Sequence, residues 1–339
     1  MSDPGGGNDS RPLRVAVLGV GLIGGSIGLS ARHRLGAHVV GYDADARASR
    51  KAMELGAIDQ RADNVASAVG EADYAFVATP VGLDVEVVRA ALAAAGRDCV
   101  VSDVGSTKRH VAREISDTRF IPGHPLAGAE TAGVENARED LFDDALWYLA
   151  PVANAEAAEV DVAPALARIS ALIEQLGARP VVIAADAHDR LMASVSHLPH
   201  VLANILVAQA MRAAPAAVGE PSAATGSSTG ALPGIETVAA NPSFRDATRV
   251  AGANTAIWTD IYMSNADLLA EALDEAIREL SGVRDALDAE DADALVAWNE
   301  RAREERALLT RTPTAEGEHD RYAGRPTAPG EPTGPVEDS

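Results

Sequence analysis

The amino-acid sequence predicts an α/β fold in which a doubly wound, mostly parallel sheet is followed by an all-α C-terminal domain. Two observations support this prediction. Short β-branched runs alternate with Ala-rich helical stretches from Arg14 to about Pro151, which is typical of a parallel sheet covered on both faces. After Asp186 the apolar residues instead recur at helical spacing almost to the end of the chain.

The predicted elements follow one another in a regular order. The strand runs are RVAVLGV, AHVVGYD, YAFVATP, CVVSDVG, RFIPG and LWYLAP, and PVVIAAD (180–186) either completes the sheet or links the domains. The three long helical patterns are HDRLMASVSHLPHVLANILVAQAMRAA, TAIWTDIYMSNADLLAEALDEAIRELSGVRDAL and ADALVAWNERAREERALL. The low-complexity segment 219–234 between the first two helices is interpreted as a mobile surface insertion.

Composition and charge exclude several classes of protein. The net charge of −21 argues against nucleic-acid binding, which requires a cationic surface to neutralise phosphates. We see no apolar run approaching the roughly 18 to 20 residues that span a bilayer, and no signal-peptide pattern at the N-terminus. The single cysteine, Cys99, excludes an intramolecular disulfide and fits a reducing compartment. We therefore expect a cytoplasmic protein with no membrane partner.

A glycine motif directly after the first strand predicts a dinucleotide site of the Rossmann type. In the pattern Gly19-Val-Gly21-Leu22-Ile23-Gly24, the first glycine allows a tight turn, the second lets the backbone approach a pyrophosphate, and the third permits close helix packing. The helix that begins here offers free N–H groups and a positive dipole end to the phosphates.

An acidic residue at the end of the second strand predicts which dinucleotide binds. Asp43 lies 19 residues beyond Gly24, about where a carboxylate bonds the adenosine ribose, and it would repel a 2′-phosphate. We therefore expect NAD rather than NADP, although Arg47 nearby leaves NADP as an alternative. The predicted domains are a disordered N-terminus (1–11), an NAD-binding domain (12–185), a helical substrate-binding and dimerisation domain (186–311) and a disordered tail (312–339).

Polar residues follow three later strands, at the edge where ligands of open α/β sheets bind. They lie in VATPV (77–81), SDVGSTK (102–108) and GHPLAGAE (123–130), and we expect Thr79 and Pro80 of the first stretch to contact the cofactor. His124 precedes a proline and so favours an extended backbone. Taken alone, it fits either a structurally bonded core histidine or a catalytic group.

These motifs together resemble the prephenate/arogenate dehydrogenase family of tyrosine biosynthesis. The resemblance runs in order from about residue 13 to 310 through GVGLIGGS, SDVGSTK, GHPLAGAE with DLF (140–142), SHLPH (196–200) and FRDATRVA with a later tryptophan. It implies oxidation of the ring C4 hydroxyl of prephenate, hydride transfer to NAD, and loss of the ring carboxylate as CO2. Arogenate dehydrogenase, which performs the same chemistry on the transaminated substrate, is the nearest alternative.

The same resemblance implies roles for individual residues. His124 matches the catalytic histidine that accepts the hydroxyl proton, and Ser106 matches a serine that orients this histidine or the substrate hydroxyl. Arg249 matches the arginine that binds a substrate carboxylate, with a surface ion pair to Asp246 as the alternative. Glu130 is expected to shape or gate the pocket.

The SHLPH motif places two histidines three residues apart on one helix face. No third ligand with suitable spacing is apparent, so we expect no metal. In the resembled family this motif faces the substrate, which implies that His200 contacts the prephenate side chain and that His197 is its neighbour. The turn Asn241-Pro242-Ser243 replaces a glycine-rich turn of many relatives, which removes support for a backbone contact to substrate there.

Two more distant functions can be distinguished from this one by the residues that they require. A 3-hydroxy-acid dehydrogenase of similar architecture usually depends on a lysine in the helical domain, and residues 186–311 contain none. A non-catalytic NAD-sensing protein has no need of His124, Ser106 and Arg249 together. The long apolar helices exceed what one α/β face could cover, and we therefore expect a homodimer through the helical domain.

Overall fold

The structure is a computed structural model that describes residues 11–128, 131–151, 161–217 and 241–311. The chain separates into two compact units, one reaching to Ala276 and the other beginning at Ile277. The predicted insertion (219–234) and both predicted tails, apart from residue 11, lie outside the described residues. The predicted domain boundaries stay predictions.

A parallel sheet of five strands forms the first half of the chain, in the order β3-β2-β1-β4-β5. Its strands are β1 (Arg14–Leu18), β2 (His38–Tyr42), β3 (Gln60–Arg61), β4 (Tyr74–Val77) and β5 (Val100–Asp103). Successive residues of β1 enter different cores: Val15 and Val17 pack on one face, and Ala16 and Leu18 on the other. Burial on both faces explains why β1 is apolar from Val15 to Leu18 rather than alternating.

A second sheet of three strands follows, which the single sheet expected from the sequence did not anticipate. It contains β6 (Gly123–Pro125), β7 (Leu146–Leu149) and β8 (Arg179–Val182), with β6 antiparallel to β7 and β7 parallel to β8. The run RFIPG is not a strand of its own, because only one bridge, between Val101 and Phe120, joins it to β5. The fold class is nevertheless confirmed, as a Rossmann-like parallel sheet followed by helices.

Helices cover the sheets and form the later part of the chain. In the first half they span Leu22–Leu35, Ala46–Glu54, Val65–Val69, Asp84–Ala94, Arg109–Glu114 and Ala163–Gln175. In the second half they span Ala185–Met192, Leu198–Ala217, Pro242–Thr248, Thr255–Ser264, Ala266–Asp288 and Ala292–Arg311. A π-helical segment, Ala193–His197, joins the first two of these without a break.

The second long helix predicted from the sequence is two helices, because the chain breaks at Asn265. This residue has φ −129° and ψ 29°, outside the α-helical range. Its side chain is fully buried and donates to the backbone carbonyl of Asp189 at 2.8 Å. A buried amide that serves a tertiary contact therefore overrides the helical pattern of the flanking sequence.

One helical stretch is more apolar than the sequence expectation allowed. By length and composition alone, residues Ala185–Ala213 are long and apolar enough to cross a membrane, and 28% of the most apolar window is buried. The same stretch carries fully buried polar side chains, including His188, Asp189 and His197, that bond to other parts of the protein. Length and composition are therefore weak evidence for a membrane span here.

Candidate active site

The turn after β1 has the backbone geometry that a dinucleotide site requires. Gly19 has φ +94°, and a Cβ atom there would lie 2.4 Å from the Ala78 carbonyl oxygen. A Cβ on Gly24 would lie 1.9 Å from the Gly19 carbonyl oxygen, whereas one on Gly21 would meet no atom within 4 Å. The first and third glycines are thus required by the fold, and Gly21 leaves open space beside the backbone that begins the helix.

The start of this helix is available to an anion. Gly21 is the residue before the helix Leu22–Leu35, and no side chain caps its first turn. The free N–H groups and positive dipole end fit a pyrophosphate. Leu22 and Ile23 occupy the first helical positions, as the motif predicts.

Asp43 is held at the end of β2 by backbone amides. Its carboxylate accepts hydrogen bonds from Val20 N at 2.9 Å and from Asp45 N at 2.8 Å. The bond to Val20 ties this carboxylate to the glycine turn, where a ribose hydroxyl is expected. Arg47, the residue that left NADP open, bonds instead to the carboxylate of Asp45 at 3.3 Å and is largely exposed.

The remaining predicted cofactor residues follow β4. Thr79 and Pro80 come two and three residues after its last residue, and the Thr79 hydroxyl donates to Asp84 at 3.0 Å. Because β1 and β4 are parallel neighbours, this segment lies at the same edge of the sheet as the glycine turn.

His124 lies in the middle of β6, opposite Tyr148 of β7, rather than at a strand end. Gly123 N donates to the carboxylate of Asp103, the last residue of β5, at 3.0 Å. A Cβ on Gly123 would lie 2.7 Å from the Ser102 hydroxyl oxygen, so glycine permits the close approach of β6 to β5. The histidine is thereby fixed at the carboxyl edge of the parallel sheet.

A chain of buried side chains extends from this histidine. His124 Nδ1 is 2.9 Å from His188 Nε2, and His188 Nδ1 is 2.7 Å from Asp189 Oδ1. Both His188 and Asp189 are fully buried. Burial, reinforced by His188 and Lys108, lowers the pKa of His124 well below its usual value, so the imidazole is neutral at pH 7.

A buried ion pair fixes the two loops that flank this chain. Lys108, which had no assigned role from the sequence, is fully buried and its ammonium bonds to the Asp103 carboxylate. Asp103 also accepts from Gly105 N at 2.9 Å and from Gly123 N. Burial, followed by the charge of Asp103, raises the pKa of the neighbouring Asp84 well above its usual value. Lys108 thus acts as an internal counter-ion to Asp103.

The SHLPH histidines line a second buried region. His200 stacks on Trp258 with ring centroids 3.7 Å apart, and its Nδ1 is hydrogen-bonded to the Tyr262 hydroxyl. His197 lies edge-on to the same tryptophan and its Nδ1 is 3.3 Å from the Asn265 amide nitrogen. The Nε2 atom of His197 is buried and has no hydrogen-bond partner within the described part of the chain. An unsatisfied ring nitrogen of this kind is suited to a polar ligand.

Burial sets the protonation of these two histidines. It lowers the pKa of His197 to about 4, with Asp189 opposing the shift and His188 and His200 adding to it. It also lowers the pKa of His200, while the Val250 backbone acts in the opposite direction. Both rings are therefore neutral at pH 7. No cluster of three or more His, Cys, Asp or Glu side chains able to hold a metal occurs in the described ranges.

The structure gives less information on the other three predicted site residues. Ser106 is partly buried in the loop after β5, and the ring partner that the described residues give His124 is His188. Arg249 is exposed and begins the short 3-10 turn Arg249–Gly252. Glu130 lies outside the described residues. The roles of these three residues stay predictions.

Sequence reasoning missed four polar residues that the structure brings to this region. They are His188, Asp189, Tyr262 and Asn265. His188 and Asp189 were readable as two ionisable residues at the start of an apolar helix, a pattern that is costly unless both are bonded. Nothing in the local pattern of residues 255–287 distinguished Tyr262 or Asn265 from ordinary helix-face residues.

The fold and the site define an NAD-dependent dehydrogenase. A Rossmann-type sheet carries a glycine turn with the Asp43 carboxylate bonded to it, and a neutral imidazole stands at the same sheet edge. Residues 27–182 match the family model "Prephenate dehydrogenase, nucleotide-binding domain", and residues 184–300 match "Prephenate dehydrogenase, dimerization domain".

Individual relatives agree with both family models. The chain is 33% identical over 300 residues to a prephenate dehydrogenase of Bacillus subtilis, covering 86% of this chain and 75% of the relative. It is 31% identical over 308 residues to a cyclohexadienyl dehydrogenase of Zymomonas mobilis, covering 87% and 95%. The chain belongs to the prephenate dehydrogenase family.

Solved structures share the fold at lower identity. A prephenate dehydrogenase from Aquifex aeolicus, in complex with hydroxyphenyl propionate and NAD+, superposes with a TM-score of 0.75 at 24% identity, covering 89% of this chain and 99% of that one. An arogenate dehydrogenase from Synechocystis gives a TM-score of 0.68 at 24% identity, covering 88% and 100%.

Proposed function

We propose that this protein is an NAD-dependent prephenate dehydrogenase, which converts prephenate to 4-hydroxyphenylpyruvate and CO2 in tyrosine biosynthesis. Membership of the family supports the reaction class. The observation that carries the proposal is the neutral imidazole of His124, whose Nδ1 is engaged by His188 so that Nε2 is left to receive a proton. A base of this kind is what oxidation of a carbinol requires.

The residues of the first domain fit the cofactor. The turn from Gly19 to Gly24 and the helix N-terminus would hold the pyrophosphate, and Asp43 would bond the adenosine ribose. Bound NAD supplies the acceptor for the hydride that leaves C4. The pairing of Arg47 with Asp45 supports NAD over NADP, since this guanidinium is already engaged.

The chain's own groups then manage protons and charge. His124 Nε2 takes the C4 hydroxyl proton as the C4–H bond breaks. The bond from the ring to its carboxylate breaks next, CO2 leaves, and the electron pair completes the aromatic ring. The proton held at Nε2 returns to the phenolate oxygen. Arg249 is suited to a substrate carboxylate because a guanidinium binds it in a bidentate manner.

The second domain supplies contacts to the rest of the substrate. His200 and the unsatisfied Nε2 atom of His197 would bond the pyruvyl side chain, and Trp258 forms a wall behind His200. The low pKa of both histidines keeps this wall uncharged, which suits a keto acid. Ser106 would orient His124 or the substrate hydroxyl, and Glu130 would shape the pocket.

Steady-state kinetics with prephenate and arogenate, each with NAD and with NADP, test this proposal. We expect NADH formation and CO2 release with prephenate, and a kcat/KM for prephenate at least tenfold above that for arogenate. A preference for arogenate would establish the alternative enzyme, which the names of the Zymomonas and Synechocystis relatives keep open. Turnover of neither substrate would overturn the proposal and leave an NAD-sensing protein.

We further propose a cytoplasmic homodimer. The second family model is described as a dimerization domain, which supports self-association. Apolar side chains stand exposed on the helix Leu198–Ala217, including Ile205 and Met211 at 47% each, and Leu280 of the second unit is 61% exposed. A second copy that covers such side chains would account for them without a membrane. Sedimentation equilibrium tests this, and a monomer at micromolar concentration would contradict it.

A further inference from the structure

We propose that the buried pair His188–Asp189 fixes the tautomer of His124, so that its Nε2 carries the lone pair that accepts the substrate proton. This inference rests on the proposed function for the role of His124. His188 and Asp189 do not touch the reacting atoms under this assignment, and they act as positioning residues. They lie within the helix Ala185–Met192, whereas His124 lies on β6.

When His188 is neutral, the geometry leaves one consistent arrangement of protons. Asp189, when ionised, can only accept, so His188 Nδ1 must carry the hydrogen in the 2.7 Å contact. In that state the His188 Nε2 carries no hydrogen and can only accept. His124 Nδ1 must therefore donate in the 2.9 Å contact, and its proton cannot also be on Nε2. Asp189 thus sets the tautomer of His124 through His188, without contacting His124 itself.

Asp189 is built to remain ionised and stationary. It is fully buried and accepts backbone hydrogen bonds from Lys108 N at 2.7 Å and Arg109 N at 2.8 Å. Burial raises its pKa, but the bonds from His188 and from these two amides outweigh burial and lower it. A carboxylate held by amides at a fixed place can orient a ring without moving itself.

The pair also stabilises the positive charge that His124 acquires during the reaction. When His124 accepts the proton it becomes an imidazolium whose Nδ1–H remains directed at His188, and Asp189 lies behind that ring. The other charged or titratable groups that act on His124 are Lys108 and His197, and both disfavour the cation. The Tyr148 ring packs edge-on against His188 at 5.6 Å. Asp189 is therefore the nearby anion bonded into this chain.

Nitrogen NMR of protein labelled with 15N-histidine tests the tautomer without any need for turnover. The chain has 8 histidines, and the His124 signals are identified by their loss in His124→Asn. We expect His124 to show a protonated Nδ1 and an unprotonated Nε2. In Asp189→Asn the new amide can donate to His188 Nδ1, and both rings should then exchange tautomers. A wild-type His124 protonated at Nε2, or an unchanged pattern in Asp189→Asn, would overturn the inference.

Kinetics add a second readout. Asp189→Asn should lower kcat by about 10²-fold or more while KM changes less than about threefold, as expected for a misoriented base. The matched control is Asp186→Asn, which removes the same charge from an exposed position of the same helix and should keep wild-type kcat. An equal loss in both variants would contradict the assignment.

Loss of folding is checked separately, because Asp189 also anchors two amides. His188→Gln keeps those amide bonds and should lower kcat by at least tenfold with unchanged affinity for NADH, measured by fluorescence. Wild-type kcat in His188→Gln would overturn the inference. If wild-type protein turns over neither prephenate nor arogenate, the proposed function fails, while the NMR experiment still decides whether His188 and Asp189 set the tautomer.

Discussion

The two halves of the site are built from different materials. The cofactor half uses backbone: Gly19 and Gly24 create the turn within six consecutive positions, and the helix start supplies the N–H groups. The half that we propose to accept the proton uses side chains from separate segments, with His124 on β6 and its partners on the helix Ala185–Met192. Cofactor binding by backbone groups should therefore tolerate side-chain changes elsewhere. The hydrogen-bonded series from His124 to Asp189 is instead broken when any one of its side chains is replaced.

The largest effect is expected at the centre of the side-chain half. His124→Asn removes the proposed proton acceptor, and kcat with prephenate should fall by about 10²-fold or more while NADH affinity is retained. Stopped assays of NADH formation and fluorescence titration with NADH measure the two quantities. His110→Asn, changed at an exposed position of the helix Arg109–Glu114, is the control. Near-wild-type turnover in His124→Asn would show that another group accepts the proton.

The cofactor half of the site can be tested with two glycine variants whose added Cβ atoms meet different surroundings. Gly24→Ala places a Cβ atom 1.9 Å from the Gly19 carbonyl oxygen, so the turn must shift, at a cost of up to about 3 kcal/mol of stability. Gly21→Ala meets no atom within 4 Å and should keep its melting temperature while weakening NAD binding about tenfold. Calorimetry of unfolding and of NAD binding separates the two. Equal melting temperatures for both variants would contradict the steric argument.

The buried imidazoles should also make stability depend on pH. Because burial lowers the pKa of His197 to about 4, the unfolded chain binds a proton at this residue more readily than the folded one. Its contribution to stability is complete above the unfolded value of about 6.5 and is lost as pH falls toward 4. Between pH 7 and 5 the loss is about 2 kcal/mol.

The variant His197→Asn removes this titration. Its free energy of unfolding, measured in urea, should fall less steeply with decreasing pH than that of the wild type, by about 2 kcal/mol over the same interval. An unchanged slope would mean that His197 is not buried in solution as it is in the structure.

The smallest effect is expected at the exposed edge of the site. Arg249→Ala should raise the KM for prephenate about tenfold with little change in kcat, as expected when one charge-assisted bond to the substrate is lost. Arg245→Ala, on the preceding helix Pro242–Thr248, is the matched control. An unchanged KM in Arg249→Ala would show that the substrate carboxylate is bound elsewhere.

This division also explains which features the sequence could reveal. The glycine turn and Asp43 were predictable, because each is required at a fixed distance from a strand within one continuous segment. His124 and His200 were reached through the resemblance to the family, and their environment was not. His188 and Asp189 stood out in the sequence only as ionisable residues at the start of an apolar helix, and their partners became visible only once folding had brought residues 103–124 and 185–200 together. Nothing local to Asn265 signals that its helix will break to serve Asp189.

The second sheet was missed for a related reason. A run of apolar residues indicates that a segment is an extended, buried strand. It does not indicate which strand it pairs with, or whether the pairing is parallel or antiparallel. The antiparallel pairing of β6 with β7 places His124 across from Tyr148, so the histidine sits within a ladder rather than at its end. Such pairing is decided by tertiary contacts, which no single segment contains.

The π-helical segment Ala193–His197 sets the angular phase between the parts of the helix on either side of it. Nine positions separate His188 from His197, and at about 100° per residue a regular α-helix would place them on opposite sides. One additional residue in a wide turn rotates the following part back by about 100° and brings both imidazoles to the same side. The wide turn thus brings to one side of the helix two histidines that a regular α-helix with the same nine-residue spacing would hold on opposite sides.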